Sequence, residues 1–91
     1  MKFHYKKEFI KQFDAYSRQE QELILEADRQ IKDYIKNQNA SYGLRIKNIG
    51  KNVFEARVSR QIRIVWVRQE NMITFALIGN HDEVRRFIKR L

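Results

Sequence analysis

The sequence predicts an α+β domain with the element order β-α-α-β-β-β-β-α and a mainly antiparallel, twisted sheet. Hydrophobic residues recur with helical spacing up to about residue 37, and they alternate with a period of two after Gly43. Length is the third observation, because 91 residues suffice for one small domain, 1–91, that folds alone. We expect a helical pair on one face of the sheet and a short C-terminal helix.

The first half of the chain is predicted to form a short strand and two helices. "KFHYK" alternates aromatic with charged residues, as a strand with one solvated face does. Phe9, Phe13 and Tyr16 then have helical spacing, and "SRQE" from Ser17 is a capping box that begins a second helix. That helix is predicted to end near Asn37, at "NQNASYG". Its predicted apolar stripe comprises Leu23, Ala27, Ile31 and Tyr34, flanked by Ile24 and Ile35.

Four strands and a last helix are predicted after Gly43. Leu44 to Lys47 and "FEARV" alternate apolar and charged residues on either side of an "IGKN" turn. "IRIVWV" and "MITFALI" are apolar enough to be central strands covered on both faces. Asp82 is predicted to be the N-cap of the last helix. The apolar side of that helix comprises Val84, Phe87, Ile88 and Leu91.

Composition excludes several classes of function. The chain has no cysteine, and its two histidines, His4 and His81, lack the spacing of a zinc site, so the sequence predicts no cofactor and no metal. No apolar run reaches the length of a signal peptide or a membrane span. We therefore expect a cytoplasmic protein without a membrane partner.

The positive charge is concentrated in one half of the sequence. Residues 44–91 contain 11 Lys and Arg against 4 Asp and Glu, a balance of +7, whereas residues 1–43 contain 8 against 7. A one-sided basic surface is typical of a protein that binds a polyanion, most often a nucleic acid. It also suits an acidic protein partner.

Four titratable side chains are predicted to gather on the sheet face away from the helical pair. Period two places Glu55, Arg57 and Arg63 opposite the apolar residues of their strands, on a face that we expect to be open. His81 follows the neighbouring strand, where a loop can present chemistry. Arginines suit a phosphodiester and its charged transition state, and a histidine or carboxylate can move the proton of a 2′-OH. A 2′-OH nucleophile requires RNA.

Each of these residues also has a purely structural interpretation. Glu55 and Arg63 can form an ordinary cross-strand ion pair, Arg57 can be a solvated strand residue, and His81 can be a surface-loop residue. His4, at a strand start among lysines, is interpreted as a surface residue. The residues alone leave both interpretations open.

The strings "FEARVSRQIRIVW" and "ALIGNHDEV" resemble the C-terminal half of the RelE/ParE superfamily, the small toxins of bacterial and archaeal toxin-antitoxin systems. "FEARVSRQIRIVW" is similar to the superfamily's aromatic-Glu-X-Arg strand and the Arg-containing strand that follows it. "ALIGNHDEV" is similar to its terminal histidine-containing segment. The specific likeness covers Phe54 to Val84, and the order of elements is compatible with it elsewhere. The resemblance implies the RelE-like fold.

For the RelE branch, the resemblance implies an endoribonuclease that cleaves mRNA without a metal ion, commonly in the ribosomal A site. It also implies a cognate antitoxin as protein partner, in a toxin-antitoxin hetero-oligomer. The ParE branch keeps the fold and inhibits DNA gyrase. A gyrase inhibitor without catalysis, and a degenerate toxin that only binds antitoxin or RNA, are therefore the alternatives. "HDEV" and the clustered arginines favour the nuclease.

The resemblance also suggests a role for individual residues. Arg57 and Arg63 match positions that contact the scissile phosphate, and His81 matches a histidine that some members use as acid or base. Many nucleases of the superfamily have tyrosine at Arg85, and an arginine does not donate a proton near neutrality. The predicted catalytic residues are His81, Arg63, Arg57 and Glu55, of which Glu55 matches a variable position. The predicted RNA-binding residues are Arg45, Lys47, Arg60, Arg85 and Arg86.

Overall fold

The helices and strands follow one another in the predicted order. A computed structural model describes residues 1–37 and 44–91, so all but the first residue of the predicted exit segment "NQNASYG" lies outside the described residues. The elements are β1 (Lys2–Tyr5), α1 (Lys7–Ala15), α2 (Arg18–Asn37), β2 (Lys47–Gly50), β3 (Val53–Arg57), β4 (Arg63–Gln69), β5 (Met72–Gly79) and α3 (His81–Lys89).

The five strands form one sheet in the order β1-β5-β4-β3-β2. Strands β2 to β5 pair antiparallel with their neighbours in sequence, which confirms the predicted mainly antiparallel sheet. Strand β1 lies parallel beside β5, with Lys2 opposite Met72 and Tyr5 opposite Phe75. No local pattern predicts this last pairing, because its two strands lie near opposite ends of the sequence.

Helices pack on both faces of the sheet. On one face, α1 and α2 bury a cluster that includes Phe9, Ile31, Trp66 and Phe75. On the other face, Val84 of α3 packs with core valines of β3 and β4. The continuously apolar sequences of β4 and β5 are explained by this arrangement, since residues on either face of a central strand are withdrawn from water. The predicted helical pair on one face and short last helix are confirmed.

Helix α2 begins with the predicted capping box. The Ser17 N–H donates to Glu20 Oε1 at 3.1 Å, and the Glu20 N–H donates to Ser17 Oγ at 3.2 Å. The buried stripe is centred on Ile24 and Ile31, while Leu23 is 50% exposed. The placement of Leu23 in the stripe was wrong, because Leu23 is adjacent to the buried Ile24 and so points about 100° away from it.

No helix in the described ranges is long and apolar enough to cross a membrane.

The boundaries of β2 and the end of α3 differ from the prediction. Strand β2 comprises Lys47–Gly50, not Leu44 to Lys47, and a two-residue turn joins it to β3. Arg45 has φ of 45° and Asn52 has φ of 61°, and these left-handed conformations interrupt the extended chain before β2 and at the turn. At the other end, Leu91 lies beyond α3 and is 69% exposed, so its predicted place on the apolar side was wrong.

A β-bulge in β5 sets which residues face α3. Val65 pairs with Leu77 and Trp66 pairs with Phe75, so one extra residue of β5 lies between them. Leu77 accordingly packs on the α3 side, and Ile78 packs on the α1 and α2 side. The Ile78 N–H donates to Gln12 Oε1 of α1 at 2.8 Å, which protects the part of β5 that β1 does not reach.

Strand β1 is tied to α2 by a polar contact. The Tyr5 hydroxyl donates to Asp28 Oδ1 at 2.6 Å, and Lys32 Nζ lies 3.2 Å from the other oxygen of Asp28. Lys32 Nζ also lies 5.0 Å from the centroid of the Tyr5 ring. Burial, followed by the hydrogen bond to Asp28, raises the pKa of Tyr5 above its ordinary value of 10.0.

Tyr5→Phe is expected to lower the free energy of unfolding at pH 7 by about 1 kcal/mol, because it removes a hydrogen bond to a carboxylate. A raised pKa in the folded state means that this stabilisation is complete below the unfolded-state pKa of about 10 and is lost as the pH rises through the folded-state value. Urea denaturation at pH 7 and at alkaline pH should show that the difference in unfolding free energy between Tyr5→Phe and wild type is smaller at alkaline pH. An equal difference at both pH values would contradict the assignment.

Candidate active site

Three of the predicted site residues lie on one face of the hairpin formed by β3 and β4. Arg57 and Arg63 are direct cross-strand partners, and Glu55 lies opposite Val65. Val65 belongs to the cluster packed against α3, so these side chains lie on the sheet face away from α1 and α2, as predicted. The expectation that this face is open was wrong, because α3 covers part of it.

Glu55 and Arg63 form a largely buried ion pair. Arg63 Nη1 lies 3.4 Å from Glu55 Oε1, and the two side chains are 12% and 9% exposed. Charge-assisted hydrogen bonds are usually about 2.7–2.9 Å long, and arginine commonly holds a carboxylate through two of them. The single longer contact gives the buried Glu55 carboxylate a cationic neighbour. Most N–H donors of the Arg63 guanidinium do not contact this carboxylate.

Arg57 and Arg63 place two like charges directly opposite each other. Such a pair destabilises a sheet unless something else compensates it. Nε of Arg57 and Nε of Arg63 are both buried, and neither has a hydrogen-bond partner in the described part of the chain. A buried donor without a partner costs about 1–3 kcal/mol. Two adjacent guanidiniums with unused donors are chemically suited to an oxyanion ligand.

His81 is the first residue of α3 and is exposed. Its position follows from β5, because Gly79 is the cross-strand partner of Arg63. The N-cap of α3 is Asn80, whose Oδ1 accepts from the Glu83 N–H at 2.9 Å, while Glu83 Oε1 accepts from the Asn80 N–H at 2.9 Å. The predictions of Asp82 as N-cap and of a loop around His81 were therefore wrong.

Gly79 allows α3 to start close to the sheet. A Cβ atom at this position would lie 3.0 Å from Glu83 Cβ and 3.2 Å from Glu83 Oε1, closer than side chains normally approach. The roles of Gly79, Asn80 and Glu83 in orienting the first turn of α3 were not predicted. The signal was present in the sequence, because "NHDE" has the same capping-box spacing as "SRQE".

The five predicted RNA-binding residues are all exposed. Lys47 of β2 is the cross-strand partner of Glu55 and so lies on the same face as the ion pair. Arg45 precedes β2, and Arg60 lies in the turn between β3 and β4. Arg85 and Arg86 lie on α3. The structure thus brings Lys47 into the group of Glu55, Arg57 and Arg63, and places the others on three neighbouring segments.

An apolar cavity lies elsewhere in the molecule. It has a volume of about 160 Å³ between α1 and α2, where Phe9, Phe13 and Ile24 line it, on the sheet face opposite the arginines. Its apolar lining offers little to a phosphodiester, so we place the candidate site at the arginines instead. Residues 1–37 and 44–91 contain no group of three His, Asp or Glu side chains arranged to hold a metal ion.

Another cavity, of about 190 Å³, lies between α1 and the start of α3. Gln12, Tyr16 and Glu83 contribute to its lining. Burial raises the pKa of Tyr16, and the negative charges of Glu83 and Glu20 raise it further. The Tyr16 phenol is therefore neutral at physiological pH.

Comparison with solved structures reveals the same fold in several toxins. The chain is similar to RelE in the RelB-RelE antitoxin-toxin complex from Methanococcus jannaschii, with a TM-score of 0.66 and 16% identity over 92% of this chain and 96% of that chain. It is similar to a YoeB/ParE toxin from Agrobacterium tumefaciens, with a TM-score of 0.68 and 12% identity over 89% and 99%.

A third similar chain comes from the heterotetrameric YoeB-YefM toxin-antitoxin complex of Staphylococcus aureus, with a TM-score of 0.65 and 11% identity over 89% of this chain and 97% of that chain. No protein-family model and no curated protein sequence matches the chain. The structural likeness confirms the fold that the sequence resemblance implied.

Proposed function

We propose that this chain, which has the RelE-like fold, is the toxin of a toxin-antitoxin system and an endoribonuclease that cleaves mRNA. The observation that carries the proposal is the half-buried pair Arg57 and Arg63, whose buried Nε donors have no partner among the described residues, beside the strand that leads into His81. Cationic donors next to a group that can transfer protons are what cleavage of a phosphodiester by a 2′-OH requires.

Each residue of the site has a proposed role. Arg57 and Arg63 bind the scissile phosphate and stabilise the negative charge that it gains in the transition state. His81 takes the proton of the 2′-OH or returns one to the leaving oxygen. Glu55 is the second candidate for proton transfer, and the reaction proceeds without a metal ion. The basic residues Arg45, Lys47, Arg60, Arg85 and Arg86 bind the RNA backbone on either side of the cleaved bond.

The proposed partners are mRNA on the ribosome and a cognate antitoxin. Two of the similar toxin chains come from complexes with the antitoxins RelB and YefM, which supports the second partner. The balance of +7 over residues 44–91 favours an antitoxin segment that is acidic and amphipathic. Such a segment neutralises the toxin by lying over the face that would otherwise bind RNA.

Expression of the chain alone is expected to arrest growth and to shorten translated mRNAs, while the purified protein leaves gyrase supercoiling unchanged. Primer extension on cellular mRNA and a supercoiling assay measure the two outcomes. A variant with His81→Ala and Arg63→Gln serves as the control for expression burden. Gyrase inhibition with intact mRNA would instead assign the chain to the ParE branch.

One residue favours an alternative without catalysis. Arg85 occupies the place where the resemblance implies a tyrosine in many nucleases, and an arginine cannot donate a proton near neutrality. A gyrase inhibitor of the ParE type, or a toxin fold that only binds antitoxin or RNA, would not need that donor. Growth arrest that persists in the His81→Ala and Arg63→Gln variant would support this alternative.

A further inference from the structure

The face that carries Arg57 and Arg63 has more positive than negative charge. Cross-strand pairing places Lys47 opposite Glu55 and Arg57 opposite Arg63, so one carboxylate lies among three cations. Glu55 is the one buried charged residue in the described ranges, at 7% exposure. A carboxylate is rarely buried to this extent unless cations hold it, and here it serves as the anion of a cationic cluster.

Glu55 accepts hydrogen bonds from only some of the donors in this cationic cluster. It contacts Arg63 through one nitrogen at 3.4 Å, and the buried Nε atoms of Arg57 and Arg63 remain without partners among the described residues. A guanidinium has five N–H donors, and a carboxylate has two acceptor oxygens on one side. A phosphate group has more acceptor oxygens and a tetrahedral shape, so it can accept from two guanidiniums at once.

We propose that Glu55 is an internal counter-ion that occupies part of a phosphate-binding site on Arg57 and Arg63, and that a bound phosphate displaces its carboxylate from Arg63. The inference rests on the proposed phosphate-binding role of these two arginines. It gives Glu55 a regulatory role: its carboxylate weakens the resting site for small anions, and a phosphate held by further RNA contacts overcomes the competition. No covalent bond changes in this exchange.

The test uses inorganic phosphate as the probe, in a phosphate-free buffer at constant ionic strength. Glu55→Gln keeps the shape of the side chain and removes its charge. We expect the variant to bind phosphate about tenfold more tightly than wild type, because a contact between charged groups no longer has to be broken. Glu70→Gln is the matched control, since it removes the same charge from an exposed turn at the other end of β4, and its affinity should equal that of wild type.

A second measurement uses wild-type protein and so does not depend on the folding of a variant. In an NMR titration with phosphate, the carboxyl carbon of Glu55 and the Nε–H of Arg63 should shift together and saturate at one concentration. Phosphate affinity in folded Glu55→Gln equal to that in Glu70→Gln, or an unmoved Glu55 carboxyl resonance at saturation, would overturn the proposal.

RNA cleavage separates this inference from the proposed function. If wild type cleaves no RNA but Glu55→Gln binds phosphate more tightly, the nuclease proposal is refuted and the counter-ion role of Glu55 stands. If wild type cleaves RNA but Glu55→Gln has unchanged phosphate affinity, the counter-ion role is refuted and the nuclease proposal stands. If Glu55→Gln has unchanged phosphate affinity and also loses cleavage, Glu55 is the proton acceptor and not a competitor of the substrate.

Discussion

His81→Ala is expected to slow single-turnover cleavage of mRNA on programmed ribosomes by roughly 10²- to 10⁴-fold, the usual contribution of a general acid or base. The side chain is exposed at the first position of α3, and the capping pair Asn80 and Glu83 does not depend on it. Folding should therefore be preserved. One limb of the pH-rate profile should also flatten, because the proposed proton-transfer group is gone.

The other histidine of the chain provides the matched control. His4 is exposed on the edge strand β1, and His4→Ala should leave both the rate and the pH profile unchanged. Thermal unfolding of both variants verifies that the fold is intact. If folded His81→Ala retained the wild-type rate and profile, His81 would be an ordinary surface residue and Glu55 would become the leading candidate for proton transfer.

Arg63→Ala is expected to slow cleavage by about 10²- to 10³-fold, since a cationic donor to the charged transition state is lost. The whole pH-rate curve should fall without a change of shape, because Arg63 is proposed to stabilise charge and not to transfer a proton. The variant should also be less stable by about 3 kcal/mol, because Glu55 remains buried without its cationic partner. Urea denaturation and single-turnover cleavage, both well below the melting temperature, measure the two effects.

A double variant separates catalysis from stability. Glu55→Gln combined with Arg63→Gln removes both charges of the ion pair, so most of the lost stability should return while cleavage remains slow. Wild-type cleavage in either variant would remove Arg63 from the proposed mechanism. A double variant as unstable as Arg63→Ala would show that the stability loss comes from packing and not from the unpaired carboxylate.

Local sequence patterns predicted most helices and strands, because each of these segments has its own periodicity or capping residues. The period of two in β3 placed Glu55 and Arg57 on one face, and the Ser17 capping box set the start of α2 within one residue. The same reasoning misplaced β2, since the left-handed conformation of Arg45 has no marker such as glycine. It also gave no partner for β1, because parallel pairing with β5 depends on residues far away in sequence.

The sequence predicted which residues form the candidate site, but it did not predict how deeply they are buried or what covers them. Alternation shows that Arg57 and Arg63 share a face, yet it does not show that α3 covers part of that face or that Glu55 is buried. This covering depends on the bulge in β5 and on the close approach of Glu83 to Gly79, which are tertiary features. The roles of the site residues stay predictions that the variants above would test.

The pairing of β1 with β5 has a kinetic consequence. Lys2 and Met72 are partners, although most of the sequence lies between them, and β5 is the strand that links the hairpin of β3 and β4 to His81. Contacts between such distant residues slow folding, because a long loop must close before they contribute stability. During synthesis, the N-terminal strand must wait for β5 to leave the ribosome before it can pair. A newly made molecule therefore acquires its complete sheet only after the whole of β5 has left the ribosome.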